Sequence, residues 1–442
     1  MSVDKLAVIV ITDGLRRDSI EALSTPALEA LRRESVWLRR HHSAAPSVTR
    51  VCSATIATGC SPLRHELAGN KLCLLDQGKL RLLDVGVPSF FSLCRELRGH
   101  VLGVPTLAQR TEAAGGQRMY GNASPGAAYV QDPTHRGHVF HRAGSFGPRG
   151  KLPQTEALNV SSDLAGDRAM TERFIDDRAA AVLDGDTDID DLENQLAAVN
   201  LLWLGHPDTT QHHCPLGSPE HLEALRRTDE NVSAVYACVD ELRRKGKDVL
   251  FIAGSDHGHE TVSGLVDIDK KLAEAGFESE LASGRLVTAP NGTAALVYLQ
   301  APEAVRARLE AFFRQADWLS DVVCRRQFEL CGISQAPALE FFLSLKSDPA
   351  ALNPYGVAGE SLACLVPGSP YPIGCGQHGG FGRHEQSPYC LVNHPDLRPS
   401  EISAATDLTL IAPTVLRFLG LSVDGLDGGS LQQILGVPTL GD

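Results

Sequence analysis

The sequence predicts an α/β protein built on a mostly parallel central sheet with helices on both faces. Three near-continuous apolar runs, at 6–12, 198–204 and 249–253, have the composition of strands buried on both sides. Segments with helical apolar spacing lie between them, the alternation from which parallel sheets are assembled. Each run ends in a glycine-containing turn that carries an acid: Asp13-Gly14, Gly205-His-Pro-Asp208 and Gly254-Ser-Asp256-His257-Gly258. Open α/β sheets gather their ligands at such C-terminal strand ends.

In chain order, the 6–12 run is the first central strand and delivers Asp13. Thr25-Pro26, followed by Ala27, Leu28 and Leu31, reads as a cap, a proline at the first helical position and an apolar helix face. Pro46-Ser-Val-Thr49 then leads into a small, apolar stretch ending at Gly59, a loop that brings the Thr49 hydroxyl to a helix start, with Ser47 or Thr49 as cap. Free N–H groups and partial positive charge at a helix N-terminus suit a phosphate and an alkoxide attacking it. Gly69-Asn70 suggests a turn.

Residues 108–166 are rich in Gly, Pro, Ser and Thr with little periodicity, which predicts a loop-rich insertion that shapes a pocket. His135, His138 and His141 within it read as a surface loop. Helices are expected at 167–183 and 219–245. Asp208 and His212, four residues apart, face the same way on one helical turn and can grip one cation. Asp256 and His257 share a glycine-flanked turn that lets both converge on a metal. Residues 265–373 look like a further αβ insertion or cap, with a strand at 295–299 and a helix at 302–315. Glycines surround His378, and a helix is expected at 407–419.

With 442 residues, 43% hydrophobic and 21% charged, the chain reads as one large globular catalytic domain over 1–442. A net charge of -13 gives no basic footprint for a nucleic acid polymer. Eleven cysteines without a CxxC pair point to a reducing compartment, here the cytoplasm. The 6–12 run is too short to span a membrane and lacks a signal cleavage region, so neither a membrane partner nor secretion is expected.

Asp13, Asp208, His212, Asp256, His257 and His378 together supply N/O ligands for two metal ions. Imidazole and carboxylate without thiolate suit catalytic zinc, ahead of manganese or iron. Two such ions can stabilise the attacking and leaving oxygens of an in-line displacement at phosphorus. In this order the motifs resemble the alkaline phosphatase superfamily, most closely its type I phosphodiesterase/nucleotide pyrophosphatase and phosphonoacetate hydrolase branches. Asp13-Gly-Leu-Arg-Arg-Asp18 is similar to the family's first-strand motif, Thr25-Pro-Ala-Leu28 to its helix start, and Thr58-Gly59, His65 and Gly69-Asn70 to its next conserved segment. Pro207-Asp208 with His212, Ser255-Asp256-His257-Gly258 and His378-Gly379 resemble its metal motifs.

The resemblance implies an alkaline phosphatase-like fold with Thr49 as nucleophile. It implies one zinc on Asp208, His212 and His378, and a second on Asp13, Asp256 and His257 with Thr49 bound to it. Asn70 would be the amide donor to a phosphoryl oxygen. The implied activity is two-zinc hydrolysis of a phosphodiester or nucleotide pyrophosphate, a small phosphorylated substrate. Phosphonoacetate hydrolase-like C–P cleavage or phosphomonoester hydrolysis is the alternative. Phosphotransfer or mutase chemistry stands behind these, and a non-catalytic metal-stabilised binding protein last.

Departures from the family pattern mark the expected substrate contacts. Arg50 follows the nucleophile directly, either as a phosphoryl clamp or as a helix-surface arginine. Cys52 stands where relatives often carry asparagine, and either packs or tunes the site. Ala108-Gln109-Arg110 occupies the place of a lysine pair in monoester and phosphonate relatives, leaving Arg110 alone. His384, with Glu385, resembles a polar segment near the phosphonate branch's pocket. With Asn70, these are the expected substrate-binding residues.

Overall fold

The computed structural model describes residues 4–183, 197–368, 372–437 and 440. Its frame is a ten-stranded sheet. The longer strands, in chain order, are β1 (Lys5–Thr12), β2 (Val36–His42), β3 (Gln117–Gly121), β4 (His138–His141), β5 (Val199–Leu204), β6 (Asp248–Gly254), β7 (Cys390–Asn393) and β8 (Ser400–Asp407). Side by side they run β8-β2-β7-β6-β1-β5-β3-β4, continued by the short strands Phe146–Gly147 and Gly150–Lys151. β1 is central and pairs in parallel with β6 and β5, Ile9 lying opposite Ile252 and Leu201. The β5-β3, β3-β4 and β2-β8 pairs are parallel too, while β7 runs antiparallel to both β6 and β2.

The helices that matter for the site are α1 (Pro26–Glu34), α2 (Thr49–Thr58), α3 (Asp208–Gln211), α4 (Pro219–Arg244) and α5 (Ile411–Phe418). Alternation along β1 divides the core. Ala7, Ile9 and Ile11 pack with Ile56 of α2 and Val415 of α5. Leu6, Val8 and Val10 pack with Leu28 of α1 and Val232, Val235 and Val239 of α4. Helices therefore cover both faces, as the apolar strand runs predict. Each fully buried aliphatic side chain here contributes roughly 1.5–3 kcal/mol of transfer free energy.

Residues 108–166 do not form a loop-rich insertion throughout, since they supply β3 and β4 to the sheet itself. Strands of four or five residues show too few inward positions for a period to be read. Aromatic contact anchors them: Tyr120 stacks on Phe140 with centroids 4.5 Å apart and meets Phe174 edge-on. His138 and His141 thus lie on β4 and not in a surface loop, and His141 Nε2 donates to the Ala123 carbonyl at 3.0 Å.

Within 265–373 an antiparallel sheet forms in the order Leu286–Asn291, Ala294–Leu299, Leu339–Leu345, Leu319–Cys324, with helix Glu303–Arg314 in the same span. Residues 369–371 of this span lie outside the described residues. Another small sheet pairs strand Glu260–Val266, which follows β6, with Gly376–Gln377, Glu260 lying opposite Gln377. That pairing brings His378 to the end of β6. Among the described residues no helix is long and apolar enough to cross a membrane.

Candidate active site

β1, β5 and β6 end side by side, and their following turns interlock. The Asp208 N–H donates to the Asp13 carbonyl at 3.0 Å, and the Asp13 N–H donates to the Leu204 carbonyl at 3.2 Å. Gly14 turns with φ 71°, a left-handed conformation that glycine adopts without strain. Its N–H donates to Asp256 Oδ1 at 3.0 Å. Trp203 Nε1, near the end of β5, donates to Asp13 Oδ2 at 3.0 Å. Each carboxylate therefore has one oxygen fixed by a protein donor. The other oxygens, Asp13 Oδ1 and Asp256 Oδ2, are buried without a hydrogen-bond partner. Both face His257 Nε2, at 3.4 and 3.2 Å, and Thr49 Oγ1 lies 3.2 Å from the same nitrogen.

A second cluster centres on Asp208, the first residue of α3. Its Oδ1 lies 3.3 Å from His212 Nε2, 3.5 Å from His378 Nε2 and 2.8 Å from His259 Nε2. The rings of His257 and His378 stack at 3.6 Å between centroids, so the two clusters adjoin. Backbone carbonyls set the tautomers: His212 Nδ1 donates to Gly376 at 3.1 Å, His378 Nδ1 to Ser47 at 2.7 Å and His257 Nδ1 to Gly258 at 3.1 Å. Because a carbonyl can only accept, these rings carry the proton on Nδ1 when neutral and turn an Nε2 lone pair inward.

Burial raises the proton affinity of Asp13, and the neighbouring Asp256 and Asp208 carboxylates raise it further. Asp256 is raised as well, chiefly by burial. Burial also acts on Asp208, but His212 and His259 outweigh it and hold this carboxyl well below its usual range. Like charges packed out of water with unpartnered oxygens favour a bound cation. Two groups have ligand atoms within 4.8 Å of one another: Asp208, His212, His259 and His378, and Asp13, Asp208 and His257. An all-imidazole and carboxylate donor set fits zinc or a similar divalent ion.

Thr49 is the first residue of α2, and the preceding Val48 supplies no side-chain cap. Ser47 is drawn away: its Oγ donates to the Gly380 carbonyl and accepts from the Gly379 N–H, both at 3.1 Å. The Arg50 N–H donates to Asn70 Oδ1 at 3.1 Å, which orients the amide and leaves Nδ2 for an incoming group. A cleft of about 400 Å³ opens here, lined by the polar Arg50, Asn70, Lys71, His212 and His378 and the apolar Val262, Leu365 and Val366. Asn70→Ala is expected to lower kcat by about 10²-fold with little change in KM, the scale for losing one donor to a developing charge. Steady-state kinetics on a phosphodiester checks this.

The other expected substrate contacts fall in different places. Arg50 lines the cleft but is tied down, Nη1 lying 3.2 Å from Asp84 Oδ1 and Nε donating to Ser124 Oγ at 3.2 Å. Cys52 packs: it is fully buried on the sheet side of α2, its Sγ 3.2 Å from Ser43 Oγ. Arg110 does not reach the site. It donates to the Asp424 carbonyl at 3.3 Å, next to the Gly425 carbonyl that meets Cys60 just beyond α2. That end of the ten-residue helix is about 15 Å from Thr49. His384 spends both ring nitrogens on the protein, Nδ1 accepting from Arg16 at 2.7 Å and Nε2 donating to the Pro349 carbonyl at 3.0 Å. Glu385 accepts from Thr293 Oγ1 and from the Gly380 and Gly382 N–H groups, bracing the loop after His378.

Three residues of the site escape the sequence reading: His259, Lys71 and Trp203. The His257-Gly-His259 spacing is a signal for the first, and a lysine next to Asn70 for the second. The role of Trp203 depends on strand register alone.

A family model for type I phosphodiesterase / nucleotide pyrophosphatase matches residues 7–322. No curated protein matches the chain by sequence. Among solved structures, an inactive variant of murine ectonucleotide pyrophosphatase/phosphodiesterase 5 in complex with AMP superposes with a TM-score of 0.67 at 15% identity, over 96% of this chain and 97% of that one. The same murine protein in another structure gives 0.66 at 15% identity, over 98% and 99%. At that identity the likeness is one of fold.

Proposed function

This chain belongs to the type I phosphodiesterase/nucleotide pyrophosphatase family, and from that premise we propose that it is a two-metal phosphohydrolase acting through Thr49 on a phosphodiester or nucleotide pyrophosphate. The observation that carries the reading is the convergence of the unpartnered Asp13 and Asp256 oxygens and the Thr49 hydroxyl on the inward His257 Nε2. Asp13, Asp256 and His257, with Thr49, would hold one cation, and Asp208, His212 and His378 the other. Bound zinc, or alternatively manganese or iron, would supply Lewis-acid stabilisation to the attacking and leaving oxygens.

Thr49 Oγ1 forms the new bond to phosphorus as the leaving group departs with its oxygen. The Thr49 proton leaves with the departing group, water then attacks phosphorus in the resulting Thr49 phosphodiester, and the product departs with its remaining ester substituent while Oγ1 regains a proton. Asn70 Nδ2 donates to a non-bridging oxygen, and the N-terminal end of α2 favours the added charge. Charge in the cleft supports a diester. Arg50 is offset by Asp84, and among the described residues Lys71 is the remaining lysine or arginine on the lining. A monoester or phosphonoacetate brings more negative charge, and neither Arg110 nor His384 is there to meet it. The AMP bound by the murine relative supports a nucleotidyl group among the substrates. Eleven unpaired cysteines support a reducing compartment such as the cytoplasm.

Rates of the zinc-loaded enzyme on a diester, a nucleotide pyrophosphate, a monoester and phosphonoacetate test the proposal. The first two are expected to exceed the last two in kcat/KM by about 10-fold or more, the minimum for one unmatched charge. Preference for either of the last two would overturn it. Phosphotransfer would show as a phosphorylated alcohol when an alcohol is added.

A further inference from the structure

We infer that His259 is a positioning residue for Asp208, donating its Nε2–H to the carboxylate and so fixing the orientation in which Asp208, His212 and His378 hold one cation. The inference rests on the metal reading above and adds to it a residue outside the expected ligand set.

His259 Nε2 is 2.8 Å from Asp208 Oδ1, a hydrogen-bond distance, whereas the Nε2 atoms of His212 and His378 stand off at 3.3 and 3.5 Å. The opposite nitrogen separates it from its neighbours. His212, His257 and His378 each place Nδ1 on a carbonyl, but His259 Nδ1 is buried with no partner. A neutral imidazole has one N–H, and leaving that N–H buried without an acceptor is unfavourable. Asp208 is the acceptor within reach, so the proton belongs on Nε2. A nitrogen carrying a proton cannot also ligate, which makes His259 the support of a ligand and not a fourth ligand.

The ring sits in a seat shaped for it. A Cβ on Gly14 would come within 2.7 Å of His259 Nε2, and one on Gly376 within 2.8 Å of Nδ1. Gly14 is needed for its turn in any case, but Gly376 is not in the left-handed region, so its missing side chain serves space. The seat joins the turn after β1, the approach to strand Glu260–Val266 and the strand before His378. Metal-binding carboxylates characteristically rely on such outer hydrogen bonds, whose loss weakens the metal by about 10–100-fold.

The test is equilibrium binding of zinc, by competition with a chromophoric chelator, to wild type, His259→Ala and His259→Gln, together with the visible spectrum of each cobalt-loaded protein. Glutamine returns an N–H near the Nε2 position. His259→Ala is expected to weaken one of two bound ions by about 10–100-fold, with His259→Gln recovering most of the loss and the saturated cobalt spectrum keeping its wild-type coordination number. Wild-type affinity at both ions in folded His259→Ala would overturn the inference. So would a changed cobalt coordination number, which would make His259 a ligand, or a folded His259→Gln no better than alanine. Wild type that binds no divalent ion would instead overturn the metal reading beneath it.

Discussion

Thr49→Ala is expected to reduce kcat on the best phosphodiester by at least about 10³-fold, within the range for loss of a covalent nucleophile, while cation binding and fold persist. Thr49 Oγ1 is the hydroxyl 3.2 Å from the inward nitrogen of His257, at the first residue of a helix with no side-chain cap. The folding free energy should change by less than about 1 kcal/mol, because alanine is a better helix former than threonine. Thr49→Ser keeps the hydroxyl and should retain turnover within about 10-fold, the cost of a looser rotamer at an otherwise intact nucleophile. Acid-quenched wild type should carry on Thr49 the phosphoryl group with the ester substituent that the diester retains, read by peptide mass, and the alanine variant should carry none. Diester hydrolysis by Thr49→Ala at wild-type rate would sink the nucleophile assignment.

The parts of this molecule legible in the sequence are those whose physics is local. The 6–12, 198–204 and 249–253 runs announce buried strands because every residue in them is covered, and they became β1, β5 and β6. Asp13, Asp208, Asp256 and His257 then follow from where such strands end. β3 and β4 were hidden because Gln117–Gly121 and His138–His141 are short, and an aromatic stack across strands holds them instead of a run of aliphatics. Chain order alone matches Arg110 to a family position, yet order says nothing of which end of α2 a side chain reaches. Cys52 follows helical geometry: three residues on from Thr49, it points into the sheet face with Ile56. His259 belongs with residues remote in sequence, Gly14, Asp208 and Gly376, and its seat exists only once four segments have met.

Stripping the metal is expected to abolish hydrolysis and lower the melting temperature, and zinc should restore both. The ligand set explains the second effect. Asp13 Oδ1 and Asp256 Oδ2 have no protein donor, and their carboxylates sit beside Asp208 out of water. A cation present at 100 times its Kd stabilises the fold by about 2.7 kcal/mol. The gap between loaded and stripped protein should also widen with pH. In stripped protein burial alone would lower His257, but Asp256, Asp13 and Asp208 outweigh it and push the imidazole up to about 10 from an ordinary 6.5. Its protonated pairing with these carboxylates contributes stability below pH 6.5 that is lost as pH rises through about 10. In the loaded protein the ion has displaced that proton to solvent, so the loaded protein escapes the loss. Thermal melts with and without chelator across pH 6.5 to 10 check the sign. A gap that narrows over this window would mean that protons and metal do not compete for His257, and the second cation would then lie elsewhere.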